Sequence, residues 1–269
     1  MIPYAFEYRR AKTLADAQAL FAQSAESKYL AGGQTLIPTM KLRLASPRQL
    51  IDISGIAELS TTDVGATNIV VGAGVRHASV AASPEIRKAV PALAELADMI
   101  GDPAVRHMGT LGGSLANNDP AADYPAAVLG LGATIRTDRR DIAADSFFTG
   151  MFLTALEEGE IVTAVEFPIP ERAAYMKFPN PASRYALVGV FVAKTGKGAR
   201  VAVTGAAPCV FRQSEMETAL TKDFRPEAMA GIEVAADNLN SDIHASAEYR
   251  AHLVTVMAKR AVAAALREQ

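Results

Sequence analysis

Two short runs of small residues are the parts of this chain best suited to chemistry: Ala31-Gly32-Gly33-Gln34-Thr35 and Thr110-Leu111-Gly112-Gly113-Ser114. Each sets a glycine pair beside a hydroxyl. Glycine lets bare backbone N–H groups come close to a phosphate. A pair of such turns suggests a diphosphate gripped from two sides, and so a dinucleotide. The donors would be N–H groups of both turns, with the hydroxyls of Thr35, Thr110 and Ser114. Taken singly, each run reads more readily as an ordinary tight turn. Neither has the spacing of a Rossmann Gly-x-Gly-x-x-Gly or a Walker loop, so neither of those nucleotide folds is implied.

Just after the second run, Asn117, Asn118, Asp119 and Asp123 crowd together. Carboxylates accept and amides both donate and accept, so this cluster could bind ribityl or ribose hydroxyls. The alternative is a turn in which Asp119 caps and Asp123 begins a helix. The histidines are His77, His107, His244 and His252. His244 and His252 are too far apart to share one helical face, and no His-Glu-x-x-His occurs, so no metal site is expected. His77 is either a base or a turn residue. No nucleophile elbow and no Cys–His signature is present. A chain without its own acid–base pair fits redox work, in which a cofactor supplies the reactive atoms.

The elements that must position these residues follow from periodicity. Residues 6–9, 28–31 and 49–53 read as strands. A helix after Thr13-x-x-Asp16 carries Leu14, Ala17, Leu20 and Phe21 at helical spacing, and a second helix spans 36–44. This is a small βαβαβ unit. Beyond residue 56, strands are expected at 68–73, 133–137 and 160–167, and helices at 91–100 and 123–131. In the third region, 185–194 and 200–205 form a hairpin about Thr195-Gly-Lys-Gly198. Helices follow at 214–220, 226–239 and 246–267. The units are thus 1–55, 56–175 and 176–269.

Composition narrows the class. The chain has 269 residues, 50% apolar, with a formal net charge of −2. That length builds a large core, and near-neutral charge gives no reason to expect nucleic acid or an anionic membrane. The single cysteine, Cys209, makes no internal disulfide and cannot alone ligate an iron–sulfur cluster or a structural zinc. The start, Met1-Ile2-Pro3-Tyr4, lacks a signal pattern, and no apolar stretch reaches the length of a membrane span, so a cytoplasmic protein is expected.

With those residues in view, a family resemblance emerges. Ala31-Gly-Gly-Gln-Thr-Leu-Ile-Pro-Thr-Met-Lys-Leu-Arg-Leu-Ala45 resembles the first FAD signature of the medium, flavoprotein subunit of molybdenum hydroxylases, the carbon monoxide dehydrogenase and xanthine dehydrogenase family. Gly109-Thr-Leu-Gly-Gly-Ser-Leu-Ala-Asn-Asn-Asp-Pro-Ala-Ala-Asp123 resembles its second. Segments 180–188 and 242–250 resemble the start of its C-terminal domain and the stretch before its last helix. The resemblance runs in order over nearly the whole chain.

It implies an α+β fold of the vanillyl-alcohol-oxidase-like FAD-binding type, ending in a three-stranded antiparallel sheet with helices. By this similarity Leu30, Ala31, Gly32, Gly33, Gln34, Thr35, Leu36 and Ile37, with Thr110, Leu111, Gly112, Gly113 and Ser114, hold the pyrophosphate. Asp123 binds a cofactor hydroxyl, with Asn117 nearby. The backbone at Ile161 and Val162 meets the polar edge of the flavin, and Lys177 and Tyr185 approach the ring. Ser114 stands where relatives often carry Asn or Asp. With only Cys209, the chain is not of the branch that carries a cluster in this subunit. Neither Cys209 nor any histidine falls inside the glycine signatures, so FAD is expected to be non-covalent.

The implied function is electron transfer. A molybdenum-cofactor large subunit would oxidise the substrate. A small subunit with two [2Fe–2S] clusters would deliver electrons to FAD on this chain, and FAD would pass them to an external acceptor, in a dimer of heterotrimers. A stand-alone FAD oxidoreductase of the same fold and a cofactor-free scaffold are the alternatives.

Overall fold

A computed structural model describes residues 2–267; Met1 of the amino-terminal reading and the last two positions of the 176–269 unit lie outside them. The first 55 residues form the expected βαβαβ piece. Glu7–Arg10, Gln49–Asp52 and Ser27–Leu30 make a three-stranded parallel sheet in that spatial order. The central strand is buried throughout. Its crossover helices are Leu14–Phe21 and Leu36–Lys41. Thr13 caps the first by accepting from the Asp16 N–H at 3.1 Å, as its spacing predicts. The Ala31–Thr35 run leaves the carboxyl end of Ser27–Leu30, the edge where open α/β sheets bind ligands.

A second sheet is antiparallel, in the order Thr62–Val64, Asn68–Gly72, Val162–Pro168, Thr134–Thr137, Asp141–Ala143. Helices His77–Ala82, Pro84–Ala89, Pro91–Asp98, Pro103–Met108, Leu111–Asn117 and Tyr124–Leu131 accompany it. Tyr124–Leu131 is buried on every side. It packs between this sheet and the C-terminal one, which is why its sequence is apolar all round.

The C-terminal sheet has three long antiparallel strands, Arg172–Pro179, Ala186–Thr195 and Gly198–Thr204, and a two-residue fourth, Phe211–Arg212. The hairpin closes at Thr195 and Gly198, as expected. The sheet opens at Arg172, ahead of residue 176, in a stretch the sequence reading gave no strand. Its covering helix, Ala247–Ala265, is capped by Ser246, which accepts from the Tyr249 N–H at 3.2 Å.

The expected helix at 226–239 is a correction. Only a 3₁₀ turn at Pro226–Met229 forms there, and an irregular segment follows. Gly231 takes φ +77, which stops the turn from propagating. Ile232, Val234 and Leu239 then pack singly against the core rather than as one helical face.

Arg250 ties this segment down. It is 3% exposed. Its Nη1 donates to the carbonyls of Leu187 (2.8 Å) and Gly205 (3.0 Å), and its Nη2 to Asp242 Oδ2 (2.7 Å). Removing the guanidinium leaves two buried carbonyls unpaired. Arg250→Met should therefore lower unfolding free energy by about 2–4 kcal/mol, read by urea denaturation of the full-length chain. A loss near zero would show that water replaces the guanidinium.

Candidate functional site

The two glycine runs come together on one cleft of about 1350 Å³. That exceeds the roughly 300–1,000 Å³ of common small-molecule pockets and suits an extended ligand. Of the sequence-predicted residues, Leu30, Ala31, Gly32, Gly33, Gln34, Thr35 and Leu36 line it from the first unit. Thr110, Gly112, Gly113, Ser114, Asn117, Asp123, Ile161, Val162 and Tyr185 line it from the rest. Ile37, Leu111 and Lys177 are not part of the lining.

The two runs meet at Gly32. A Cβ there would fall on the Met108 carbonyl oxygen and within 2.8 Å of Gly109 Cα. Only glycine lets the loop of the parallel sheet touch the loop that precedes the second run. Gly33 has φ +70, a conformation that side chains resist, and the Ile37 side chain covers it. Ile37 thus supports the turn from behind.

The first run keeps its donors open. Among the described residues, the N–H groups of Gly32, Gly33, Gln34, Thr35 and Leu36 have no hydrogen-bond acceptor. Consecutive unpaired N–H groups on the wall of a cleft form an anion-binding concavity. The Thr35 hydroxyl makes no capping bond of its own.

The second run differs from the expectation. It is the first turn of the helix Leu111–Asn117 rather than a turn before a helix. The Leu111 N–H donates to Val75 O (3.0 Å) and the Gly112 N–H to Ala73 O (2.8 Å). The Thr110 hydroxyl accepts from the Gly113 N–H at 3.2 Å, and the Ser114 N–H donates to Thr110 O at 3.0 Å. The first two N–H groups hold the helix to the residues that follow strand Asn68–Gly72, the other two close its first turn on Thr110, and all four are spent before any ligand arrives. Leu111 itself is core, 1% exposed.

The glycines here do separate jobs. At Gly112 a Cβ would lie 2.5 Å from Ala73 Cβ, so packing requires glycine. At Gly113 a Cβ would meet only Thr110 Oγ1 (2.8 Å) and Ala31 Cβ (4.0 Å). Gly113 is exposed and presents a bare surface on the cleft beside Ala31 of the first run. A glycine inside a helix costs about 1 kcal/mol against alanine, and core packing does not account for this one.

The polar cluster divides. Asn117, half-buried, lines the cleft. Asn118 is structural: in left-handed conformation at φ 43 it donates to Gly150 O (2.8 Å) and Leu153 O (2.7 Å). Asp119 accepts from the Ala121 N–H at 2.9 Å. Asp123 is buried, and its Oδ1 accepts from Tyr175 Oη at 2.6 Å. Lys177 Nζ lies 3.0 Å from the same carboxylate and donates to Met99 O at 3.1 Å. Burial holds the Asp123 carboxyl above its ordinary range, with Lys177 and Tyr175 offsetting only part of that rise. Lys177 stands behind Asp123, outside the lining of the cleft. Ile161 is also a partial correction. Its N–H donates to Asp138 Oδ1 (2.7 Å) and its carbonyl accepts from the Asp138 N–H (3.0 Å), so its backbone is already paired. The residue still lines the cleft, with its side chain among the buried cluster of Ile51, Ile53, Ile56 and Leu59.

Two residues that the sequence reading left aside belong here. Glu160 lines the cleft, and Arg140 holds its carboxyl down to about 2. His77 lines it too, 5% exposed, with Nδ1 unpartnered among the described residues and its ring 5.2 Å from that of Tyr124. Burial, with Arg106 nearby, holds its pKa down to about 4. In sequence His77 had no partner at a telling spacing, which left it as either a base or a turn residue.

Comparison with known proteins supplies the context. Residues 4–170 match the family model described as the FAD-binding domain in molybdopterin dehydrogenase, and residues 173–265 match the CO dehydrogenase flavoprotein C-terminal domain. The chain is 35% identical over 282 residues to the carbon monoxide dehydrogenase medium chain of Hydrogenophaga pseudoflava, covering 98% of each. It is 35% identical over 272 residues to the nicotine 6-hydroxylase medium subunit of Paenarthrobacter nicotinovorans, covering 96% of each. Among solved structures, a chain of reconstituted CO dehydrogenase from Oligotropha carboxidovorans superposes with TM-score 0.91 at 32% identity over 100% of both chains.

Buried and neutral, His77 makes acid unfolding steeper. Between its ordinary value of 6.5 and about 4, the unfolded chain binds a proton that the folded one refuses. Stability should fall with pH across that window by on the order of 3 kcal/mol. His77→Gln should remove that part of the slope in urea titrations run at successive pH values. An unchanged slope would show that His77 is protonated in the folded protein.

Proposed function

Since the chain belongs to the family of FAD-binding medium subunits of molybdenum hydroxylases, we propose that its cleft binds FAD with the pyrophosphate between the two glycine runs. One observation carries this: the unpaired N–H groups from Gly32 to Leu36 share a cleft wall with the bare face of Gly113. Open donors beside a surface free of side chains suit a diphosphate. The two sides act differently. The first run donates hydrogen bonds, and the second gives close approach together with the Ser114 hydroxyl.

The remaining assignments follow the lining. Asn117 and Asp123 would take sugar hydroxyls, and Ile161 and Val162 would form the apolar floor for the ring. Tyr185, 51% exposed at the mouth, would cover a flat ligand. Bound there non-covalently, FAD supplies a redox centre that links one-electron and two-electron partners. The residues around it bind and orient.

The chemistry of the substrate then falls to other chains. With Cys209 as its sole cysteine, this chain cannot hold an iron–sulfur cluster by thiolates. We assign substrate oxidation to a molybdenum-cofactor large subunit, electron delivery to a small subunit with [2Fe–2S] clusters, and the assembly to a cytoplasmic dimer of heterotrimers. The relatives named for carbon monoxide and for nicotine share this subunit type. That fits a substrate chosen elsewhere in the complex.

Gly33→Val strains a left-handed turn at the cradle, and Gly113→Val puts a branched side chain on the open face. Each variant should emerge from purification depleted in flavin while keeping its α+β circular dichroism. Full FAD occupancy in both would sink the placement of the diphosphate.

A further inference from the structure

Behind the cleft, two buried side chains that the binding site does not itself use, Tyr175 and Lys177, make polar contacts to Asp123 of its wall. Asp123 and Lys177 are 5% and 3% exposed at the side chain, with Nζ 3.0 Å from the carboxylate. Tyr175, 1% exposed, donates to Asp123 Oδ1 at 2.6 Å. A carboxylate offers about four lone-pair sites, and these contacts leave at least one free on a residue that lines the cleft. Lys177 is outside the lining, and its other bond goes to Met99 O. That carbonyl sits at the end of the helix Pro91–Asp98, next to Ile100 and Gly101 of the cleft wall.

From this arrangement we infer that Lys177 is a positioning residue: it holds Asp123 charged and fixed, so that the free lone pair accepts a sugar hydroxyl of the bound dinucleotide. The inference rests on the reading that this cleft binds FAD. A buried carboxylate without a counter-charge takes up a proton and loses the charge-assisted bond. The Lys177 ammonium opposes this without touching the ligand. Its hold on Met99 O also fixes the adjoining wall. The other titratable groups that face Asp123 are Tyr175 from the same strand as Lys177, Tyr124 beside it in the chain, and Tyr185 with Asp119 towards the mouth. Lys177 is the one cation among them.

The test is FAD affinity, followed by flavin fluorescence on the flavin-stripped full-length protein, for Asp123→Asn, Lys177→Met, Lys177→Arg and the double variant Asp123→Asn/Lys177→Met. Loss of a charge-assisted bond should weaken binding by roughly tenfold to a hundredfold in Asp123→Asn. Lys177→Met should bind weakly at neutral pH and recover as pH rises and Asp123 ionises, whereas the parent stays flat. Lys177→Arg should restore the flat profile. The double variant should be no weaker than Asp123→Asn alone. Losses that multiply in the double variant, with no pH dependence in Lys177→Met, would mean that Lys177 contacts the ligand itself, and would overturn the inference. FMN and ADP as separate probes assign the hydroxyl to ribityl or ribose; an Asp123→Asn loss that carries over to neither also overturns it. If Gly33→Val loses FAD while Asp123→Asn keeps it, this inference fails and the cleft reading stands. If both keep FAD, the cleft reading itself fails.

Discussion

The close approach of two backbones at Gly32 is the constraint on which the site depends. The first glycine run leaves a parallel sheet, and the second opens a helix on an antiparallel one. Where they touch, no side chain fits between Gly32 and the Met108–Gly109 peptide. That contact brings the open N–H groups of 32–36 and the bare face of Gly113 onto one cleft. Gly112 serves the same end from the other side, since its missing Cβ lets the helix sit on Ala73. The two sheets contribute unequal halves, one of donors and one of surface.

The remainder of the fold holds that cleft in place. Tyr124–Leu131, apolar on all sides, joins the second sheet to the third. Strand Arg172–Pro179 of the third sheet sends Tyr175 and Lys177 back to Asp123 at the start of that helix. Thr204 likewise donates to Ala122 O at 2.6 Å, one residue before Asp123. The C-terminal unit therefore reaches the site through polar contacts behind its wall as well as through Tyr185 at its mouth. Binding and orientation are what these residues can do, and the redox chemistry belongs to the cofactor.

Much of this was legible in the sequence because two similar glycine runs, each beside a hydroxyl, point together to a diphosphate that neither run alone would imply. The parallel βαβαβ piece, the hairpin at Thr195–Gly198 and the Thr13 cap each rest on local patterns, and each formed as read. What escaped was set by distant contacts. The helix 111–117 runs through two glycines, and its start is fixed by the carbonyls of Val75 and Ala73 in another segment. The backbone of Ile161 is consumed by Asp138, and the Lys177 amine by Asp123 and Met99. At 226–239 the apolar spacing was helical, but those side chains were anchored one by one to a core already built by other elements. His77 went unassigned because burial, not sequence neighbours, defines its role.

The central claim is that the N–H groups of Gly32 to Leu36 stand open for a diphosphate while those of Leu111 to Ser114 are already bonded. Residue-resolved amide hydrogen exchange, with and without FAD, tests it most directly. The account predicts fast exchange at 32–36 in the flavin-free chain, strong protection there when FAD is added, and protection at 111–114 in both states. Exchange at 32–36 that FAD leaves unchanged would contradict it.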